Sequence, residues 1–322
     1  MRQNNSLGRK YCQMTESSSE FDHKAWLKDF SIALQNREGF RDLRAVIFHD
    51  TVSFVQNSSY SIGGQSIRID SRGIIERTEL YDKPIKLAPP SNEYKTRFSV
   101  IGADCLETAR VLLNAELNPC VLNMANRQNP GGGVYVGAGA QEENIFRRTN
   151  MFRSLFQFAD FAEKYDLLRN SKSYPMDRNY GGAYSPDITV FRGSEANGYC
   201  LLSDPYKIAV VTVAALNRPE LIKREGAYYL ANNMVTPTKE KMRTILRIAG
   251  KHKHDSLVLS AFGCGAFANP PNHIAELFKE VFAEKEFNNR FKVVVFSIID
   301  DHNSKKSHNP DGNIIPFTEI FG

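Results

Sequence analysis

Three consecutive glycines, Gly131, Gly132 and Gly133, are followed after a short spacer by two neighbouring glutamates, Glu142 and Glu143. Glycine has no Cβ, so its backbone can turn sharply and approach a ligand closely. Exposed backbone N–H groups suit phosphate oxygens. A carboxylate just beyond them suits acid–base chemistry on the group that the phosphate carries. We therefore predict a site for chemistry on a phosphate-bearing ligand.

Other glycine-rich loops must be weighed against this interpretation. A simple tight turn is the commonest origin of such a run. A Rossmann loop requires G-x-G-x-x-G and an acidic residue about 20 positions further on. Here the glycines are contiguous, the expected position falls near Arg153, and the next acid downstream is Asp160. A Walker loop is excluded because no Gly-Lys-Ser/Thr follows.

The two glutamates are adjacent, and this limits what they can do together. Their side chains diverge by about 100° on a helix and by about 180° on a strand. They cannot face one reacting carbon from opposite sides, as the two carboxyl groups of a conventional glycosidase do. One is therefore expected to do the chemistry while the other holds the ligand. Two acids at a helix start are also typical of favourable interaction with the helix dipole.

A second glycine loop, Gly263-Cys264-Gly265, follows the apolar run Ser256–Ser260. In an open α/β sheet, loops after strand ends are where ligands bind. The two loops can grip a diphosphate between them, and neither brings a lysine, so recognition without a metal or cofactor is expected. Cys264 has no recognisable histidine partner and is interpreted as a small residue fitted against the ligand. The five cysteines show no C-x-x-C spacing, so neither a disulfide framework nor a zinc site is expected.

Three blocks of sequence, in the same order, resemble the poly(ADP-ribose) glycohydrolases, especially the bacterial type. The blocks are Gly131–Gly133 with Gln141-Glu142-Glu143, Tyr174–Arg192, and Leu257–Pro271. The resemblance implies a macrodomain fold. It also implies hydrolysis of the ribose glycosidic bond in ADP-ribosylated proteins or poly(ADP-ribose), with release of ADP-ribose.

The resemblance also implies roles for individual residues. Glu143 matches the catalytic acid/base, Glu142 its orienting partner, and Asn126 a residue that hydrogen-bonds the same ribose. Phe267 matches an aromatic residue that packs on the distal ribose and bends the ligand. The residues expected to bind substrate are Asn126, Gly131, Gly132, Gly133, Gln141, Gly263, Cys264, Gly265, Ala266 and Phe267.

Several residues depart from the bacterial pattern around the expected cleft. Asn126 stands where those relatives often carry a serine, Phe262 replaces a usual Trp, Ala266 a usual Val, and Ala268 a Gly. Poly- and mono-ADP-ribose, including ADP-ribosyl-arginine, therefore remain open as substrates. A macrodomain that binds ADP-ribose without hydrolysis is the alternative from another class. The intact Gln141-Glu142-Glu143 favours the enzyme, because a binding module needs no carboxylate at the anomeric centre.

Hydrophobic periodicity predicts strands alternating with helices, hence an α/β fold with a largely parallel sheet covered on both faces. The resemblance refines this to a macrodomain-like three-layer α/β/α sandwich with a mixed central sheet. Arg44–Val55 reads as a helix or a strand pair, and Lys164–Pro205 as a long polar connection of the functional kind. The predicted strands are Ser61–Asp70, Ile74–Tyr81, Phe98–Ile101, a run at Val121, Ile208–Ala215, Ser256–Ser260 and Val293–Ile299. The predicted helices are Phe21–Asn36, Asp104–Asn114, Glu142–Ala159, Thr238–Ala249 capped by Thr236 or Thr238, and one capped by Asn272.

The chain of 322 residues is predicted to divide into a flexible tail (1–20), an accessory segment (21–95) packed on the core, and a catalytic core (96–322). The break at Leu87-Ala88-Pro89-Pro90 marks the boundary. With 42% hydrophobic residues and a net charge of +5, the composition is that of an ordinary globular protein, and nucleic-acid binding is not expected. No signal-like or membrane-spanning run is visible. We expect a cytoplasmic monomer whose partners are ADP-ribose and ADP-ribosylated proteins.

Overall fold

The computed structural model describes residues 21–90, 94–300 and 303–322. The predicted flexible tail, residues 1–20, lies outside them. The helices in these ranges are α1 (His23–Asn36), α2 (Phe40–Gln56), α3 (Ile74–Arg77), α4 (Cys105–Asn114), α5 (Gln141–Arg148), α6 (Met151–Leu155), α7 (Asn232–Lys251), α8 (Pro271–Phe282) and α9 (Ile314–Phe321). None of these helices has both the length and the apolar character needed to cross a bilayer.

The strands alternate with the helices along much of the chain. They are β1 (Ser59–Ile62), β2 (Gln65–Arg68), β3 (Glu79–Tyr81), β4 (Arg97–Ile101), β5 (Pro119–Met124), β6 (Gly182–Arg192), β7 (Leu201–Val213), β8 (Leu221–Arg224), β9 (Ala227–Leu230), β10 (Ser256–Leu259) and β11 (Val293–Ser297). β1 with β2, and β8 with β9, form separate antiparallel hairpins.

The described chain forms two compact units, each built from three segments. The first unit comprises residues 21–78, 128–174 and 185–207. The second unit comprises residues 79–127, 175–184 and 208–322. The division into an accessory segment (21–95) and a core (96–322) stays a prediction.

The second unit is organised by a seven-stranded mixed sheet in the order β3-β6-β7-β5-β10-β11-β4, to which β6 contributes its first residues and β7 its last. β7, β5, β10, β11 and β4 pair in parallel, whereas β3 is antiparallel to β6. Cys120, Leu257 and Val294 are register partners on one face and belong to the core formed with α7, α8 and α9. Val121 and Val258 point to the other face, and α4 contacts β5, β10 and β11. Helices thus cover both faces, which confirms the α/β, macrodomain-like fold class.

The first unit has its own core, around the helix pair α1 and α2. Trp26 is fully buried, stacks on Phe30 with ring centroids 4.6 Å apart, and donates from Nε1 to the carbonyl of Leu43 (3.2 Å). Arg192 of β6 is also fully buried and forms an ion pair with Asp50 of α2. A buried charge is tolerated only when it is paired in this way. The predicted helix at Phe21–Asn36 is confirmed, and the open alternative at Arg44–Val55 is settled as the helix α2.

The prediction of one helix across Glu142–Ala159 is wrong, because two helices and a short 3₁₀ turn occupy this range. The break falls at Thr149, whose backbone is extended (φ −141°, ψ 170°) and forms an isolated antiparallel bridge with Val190. Asn150 follows, and its Oδ1 accepts the amide of Thr189 (2.8 Å). Pairing with a distant strand has therefore overridden the local helical periodicity.

Two further predictions of irregular or extended structure are corrected. Lys164–Pro205 is not a long connection, since it contains all of β6 and the start of β7. In β6 the buried residues Ile188, Val190 and Phe191 drive strand formation despite the neighbouring Tyr, Pro and Asp. Ile74–Tyr81 is only half extended, because its first residues form the single helical turn α3 before β3 begins.

The predicted helix caps are also wrong. α7 begins at Asn232, and Thr238 lies inside it with Oγ1 donating to the carbonyl of Met234 (2.8 Å). α8 begins at Pro271, and Asn272 lies inside it with Nδ2 donating to the carbonyl of Tyr228 (3.3 Å). The hairpin β8–β9 and the helix α9 were not predicted from the sequence.

Candidate active site

The glycine triplet forms a left-handed turn in the first unit. The backbone angle φ is +74° at Gly131 and +55° at Gly132, a region in which residues with a Cβ are strained. The amide of Gly132 donates to the carbonyl of Asn129 (3.0 Å), and the amide of Val134 donates to that of Gly131 (3.1 Å). The turn therefore requires glycine at both positions.

Glu142 and Glu143 direct their carboxylates back to this turn. Oε1 of Glu142 accepts the amide of Gly131 (3.0 Å), and Oε1 of Glu143 accepts the amide of Gly133 (2.9 Å). Both glutamates are buried, with 3% and 7% of their surface exposed. A Cβ at Gly132 would overlap Oε1 of Glu143. These five residues form a single packed group, here named the carboxylate cluster.

The amides of the triplet were expected to donate to phosphate oxygens. In the structure Gly131 and Gly133 donate to the two glutamates, and Gly132 donates to Asn129. The loop thus holds the carboxylates in place. Phosphate binding by these amides stays a prediction.

The helix α5 places both acids in its first turn, where the partial positive charge of the helix stabilises anions. Oε2 of Glu143 is buried and has no hydrogen-bond partner in the described part of the chain. The other oxygen of this carboxylate is fixed by Gly133. Oε2 is therefore the oxygen of Glu143 that the described residues leave unengaged.

Tyr174 was not predicted as a site residue, although it lies in one of the three sequence blocks. Its hydroxyl is buried and has no hydrogen-bond partner within the described ranges. Burial and the nearby Glu142 carboxylate raise the pKa of Tyr174 well above its usual value, so the hydroxyl stays a donor. Its amide donates to the carbonyl of Phe158 (2.8 Å) and fixes the backbone.

The spacer between the glycines and the glutamates is held by α2. A Cβ at Gly137, where φ is +69°, would overlap the carbonyl oxygen of Arg41. Gly139 packs on the guanidinium of Arg44, which makes two hydrogen bonds to Glu195 (2.6 and 2.7 Å). The glycines of the spacer were the only sequence signal for this close approach.

The second glycine loop lies in the second unit, after β10. At Gly263 φ is +77°, and a Cβ would lie 2.6 Å from both the Cβ of Ala215 and Nδ2 of Asn269. The buried Asn269 amide group donates to the carbonyls of Leu216 (2.8 Å) and Gly263 (3.1 Å). Asn269 therefore shapes this loop, although sequence reasoning gave it no role.

Cys264 is fully buried, with Sγ 3.7 Å from the carbonyl oxygen of Phe262. Burial raises the pKa of the thiol well above its usual value. Because the thiolate is the reactive form, the structure disfavours a nucleophilic role. The carbonyl of Cys264 lies 2.9 Å from Nε2 of His308, which anchors the loop from the other side.

The end of the second loop differs from the glycine triplet. The amides of Gly265, Ala266 and Phe267 have no protein acceptor among residues 21–90, 94–300 and 303–322. Successive N–H groups of this kind suit an anion. The side chain of Phe267 is half-buried. The backbone carbonyl of Phe267 accepts the amide of Arg218 (2.8 Å).

The remaining predicted residues take simple positions. Asn126 lies in the second unit, just after β5, whose parallel neighbour β10 leads to the second loop. Gln141 is the first residue of α5 in the first unit. In the first unit the structure brings together the residues of the carboxylate cluster. In the second unit it places Asn126 and the second loop at the same edge of the sheet. The described ranges contain no group of three His, Cys, Asp or Glu residues that could hold a metal ion.

The sequence profile described as microbial-type PARG, catalytic domain, matches residues 49–193, which include the whole carboxylate cluster. Over this part, which is 145 of the 322 residues, the chain is similar to the microbial-type poly(ADP-ribose) glycohydrolases (PARGs). None of the curated proteins compared with the chain matches it in sequence.

Solved PARG structures share the fold. The PARG of Thermomonospora curvata bound to the inhibitor ADP-HPD is 27% identical, with a TM-score of 0.66 over 86% of this chain and 98% of that chain. The PARG of Deinococcus radiodurans in complex with ADP-ribose is 25% identical, with a TM-score of 0.56 over 79% of this chain and 97% of that chain. The resemblance seen in the sequence blocks is thereby confirmed.

Proposed function

We propose that this chain is an ADP-ribosyl glycohydrolase, which cleaves the ribose glycosidic bond of ADP-ribosylated proteins or poly(ADP-ribose) and releases ADP-ribose. The observation that carries the proposal is the carboxylate cluster. Two buried glutamates are fixed by glycine amides, and one oxygen of Glu143 is left without a protein partner in the described chain. The match to the microbial-type PARG profile and the ligands of the two PARG structures, ADP-HPD and ADP-ribose, support it.

The reaction follows from the placement of Glu143. Its protonated carboxyl group gives a proton from Oε2 to the leaving atom as the glycosidic bond breaks, through an oxocarbenium-like state. The carboxylate then takes a proton from water as the water oxygen bonds to the anomeric carbon. The products are ADP-ribose and the free acceptor, and Glu143 is returned to its protonated form.

The other predicted residues are assigned to binding. Glu142, fixed through Oε1 by Gly131, is proposed to hold ribose hydroxyls with Oε2. Asn126 is proposed to hydrogen-bond a ribose of the ligand, because an amide group both donates and accepts. The amides of Gly265, Ala266 and Phe267 are proposed to receive the diphosphate. Gln141, the glycine triplet, Gly263 and Cys264 complete the proposed binding residues.

The cellular setting is proposed from the same reasoning. The chain is expected to act as a cytoplasmic monomer on ADP-ribosylated proteins, without nucleic-acid or membrane partners. Both polymer and single ADP-ribose units are candidate substrates, because Phe262, Ala266 and Ala268 depart from the bacterial pattern around the second loop.

The test is Glu143→Gln, with turnover and ADP-ribose affinity measured on folded protein. Glutamine keeps the size and accepts a hydrogen bond but cannot exchange a proton, so hydrolysis is expected to fall about 10²-fold or more. ADP-ribose affinity is expected to change little. Glu142→Gln is expected to weaken substrate binding as well as turnover. The exposed Glu76→Gln, in the same unit, is the matched control and should behave like the unchanged protein.

Near-normal turnover by Glu143→Gln would reject the assigned mechanism. The substrates are labelled poly(ADP-ribose) and proteins carrying ADP-ribose on arginine, glutamate or serine. Release from the polymer alone, or from one modified side chain alone, identifies the substrate class. Tight ADP-ribose binding without release from any of them would favour the binding module instead.

A further inference from the structure

Lys241 is a buried charge in the second unit that the proposed function does not use. It lies in the middle of α7, and only 2% of its surface is exposed. Its Nζ has no hydrogen-bond partner within the described part of the chain. A buried ammonium normally has a partner, because removing it from water without one is strongly unfavourable.

The packing of α7 on β6 identifies what surrounds this side chain. A Cβ at Gly182, the first residue of β6, would lie 2.8 Å from Ile248 and 3.2 Å from Thr244. Thr244 is one helical turn beyond Lys241. The loop that precedes Gly182 therefore lies beside the part of α7 that carries Lys241. That loop contains Asp177, whose Oδ1 accepts the amides of Asn179 and Tyr180 (2.8 Å each).

Arg127 is tied to the same loop. Its carbonyl accepts the amide of Met176 (3.0 Å), and its Nη1 donates to the carbonyl of Met176 (3.0 Å). The charges of Arg127 and Arg178 both act on Lys241, and Asp177 opposes them. Three cationic side chains and one carboxylate thus lie in this part of the second unit, and the carboxylate is itself engaged by backbone amides.

We propose that Lys241, Arg127 and Arg178 form an oxyanion-binding site, with a phosphate group as its ligand. A phosphate group offers several acceptors to the buried Nζ and offsets the excess of positive charge. Two guanidinium groups and an ammonium at one place are typical of phosphate recognition. The group can come from free inorganic phosphate or from a phosphate of an ADP-ribosyl ligand.

An uncharged lysine is the alternative explanation for an Nζ that has no hydrogen-bond partner in the described part of the chain. Burial, with Arg127 next in effect, lowers the pKa of Lys241 to about 8. At pH 7 most of the molecules would still carry the ammonium. A bound oxyanion would favour the charged form further.

The test measures binding of inorganic phosphate by calorimetry and by thermal unfolding at pH 7, with sodium chloride at matched ionic strength as the reference. The unchanged protein should bind phosphate and unfold at a higher temperature in phosphate than in chloride. Lys241→Met should weaken phosphate binding about 10-fold or more, because a charge-assisted hydrogen bond is lost. Lys285→Met, at an exposed lysine of the same unit, should leave phosphate binding unchanged.

Arg178→Gln is a second variant. Arg178 is exposed in the folded protein, so its replacement should not prevent folding. It should weaken phosphate binding by up to about fivefold. Competition between ADP-ribose and phosphate would identify a phosphate of the ADP-ribosyl ligand as the natural occupant. Independent binding of the two would identify free phosphate. Equal unfolding temperatures in phosphate and chloride, or phosphate binding unaffected by Lys241→Met, would overturn the proposal.

Discussion

At Gly132 any side chain would compete with a glutamate carboxylate for the same space. A Cβ there would overlap Oε1 of Glu143, which is the oxygen that Gly133 fixes. The sequence suggested that glycine was needed here to admit a phosphate. The structure gives a different reason, because the space next to Gly132 is already filled by the two carboxylates.

Gly132→Ala is therefore expected to impair catalysis more than folding. The new methyl group must displace Glu143, and misplacement of a catalytic group by about 1 Å can cost about 10²-fold in rate. Gly63→Ala is the matched control, since φ is +57° there against +55° at Gly132 and nothing lies within 4 Å of the new Cβ. Both variants should lose about 1–3 kcal/mol of stability from backbone strain in urea unfolding. Turnover of Gly132→Ala equal to that of Gly63→Ala would contradict this account.

At the scale of elements, α2 supports the spacer between the glycine triplet and the two glutamates. Its residues approach the spacer at Gly137 and Gly139, and Thr51 of α2 donates from Oγ1 to the carbonyl of Arg147 in α5 (2.6 Å). The chain before the predicted core boundary thus contributes directly to the placement of Glu142 and Glu143. A loop that carries chemistry is commonly positioned by a rigid neighbour in this way.

Gly137→Ala tests this support. The new Cβ would overlap the backbone of Arg41, and a backbone atom cannot move aside as a flexible side chain can. The expected result is a loss of stability larger than that of Gly64→Ala, together with reduced turnover in any folded fraction. Gly64 has a similar φ (+76° against +69°) and open space around its Cβ position, so it isolates the cost of strain. Equal urea midpoints for the two variants would show that the contact between α2 and the spacer is unimportant.

The elements also show what the sequence could and could not reveal. The parallel strands β5, β10 and β11 were predictable because each is a short apolar run with flanking turn residues. The pairing of Glu142 and Glu143 with the triplet was foreseen only in outline, since residue spacing shows proximity and not which amide binds which oxygen. The break at Thr149 depends on Val190, about 40 residues away, and no local pattern encodes such a bridge. Lys241 reads as a surface residue in the Lys/Arg-rich α7, and only packing shows that it is buried.

At the scale of the whole molecule, two histidines, the partly buried His252 and the buried His254, are expected to control stability in mild acid. His252 stacks on Tyr184 with ring centroids 3.5 Å apart, and its Nε2 lies 2.9 Å from the hydroxyl of Tyr81. His254 is buried, with Nε2 2.9 Å from the hydroxyl of Tyr184. Burial lowers the pKa of His252 to about 4 and also lowers that of His254. The charged groups that face His252 are Glu79 and Lys251.

These shifts give stability a defined pH dependence. An unfolded histidine takes up a proton near pH 6.5, whereas folded His252 does so only near pH 4. Between these values the unfolded chain binds more protons, so the free energy of unfolding falls as the pH falls. His252→Gln removes one titrating group and should reduce this fall between pH 7.5 and pH 5. Urea unfolding at both pH values checks it, with His49→Gln at an exposed histidine as the control. The same fall in the free energy of unfolding for the unchanged protein, His252→Gln and His49→Gln would show that His252 does not link acid to unfolding.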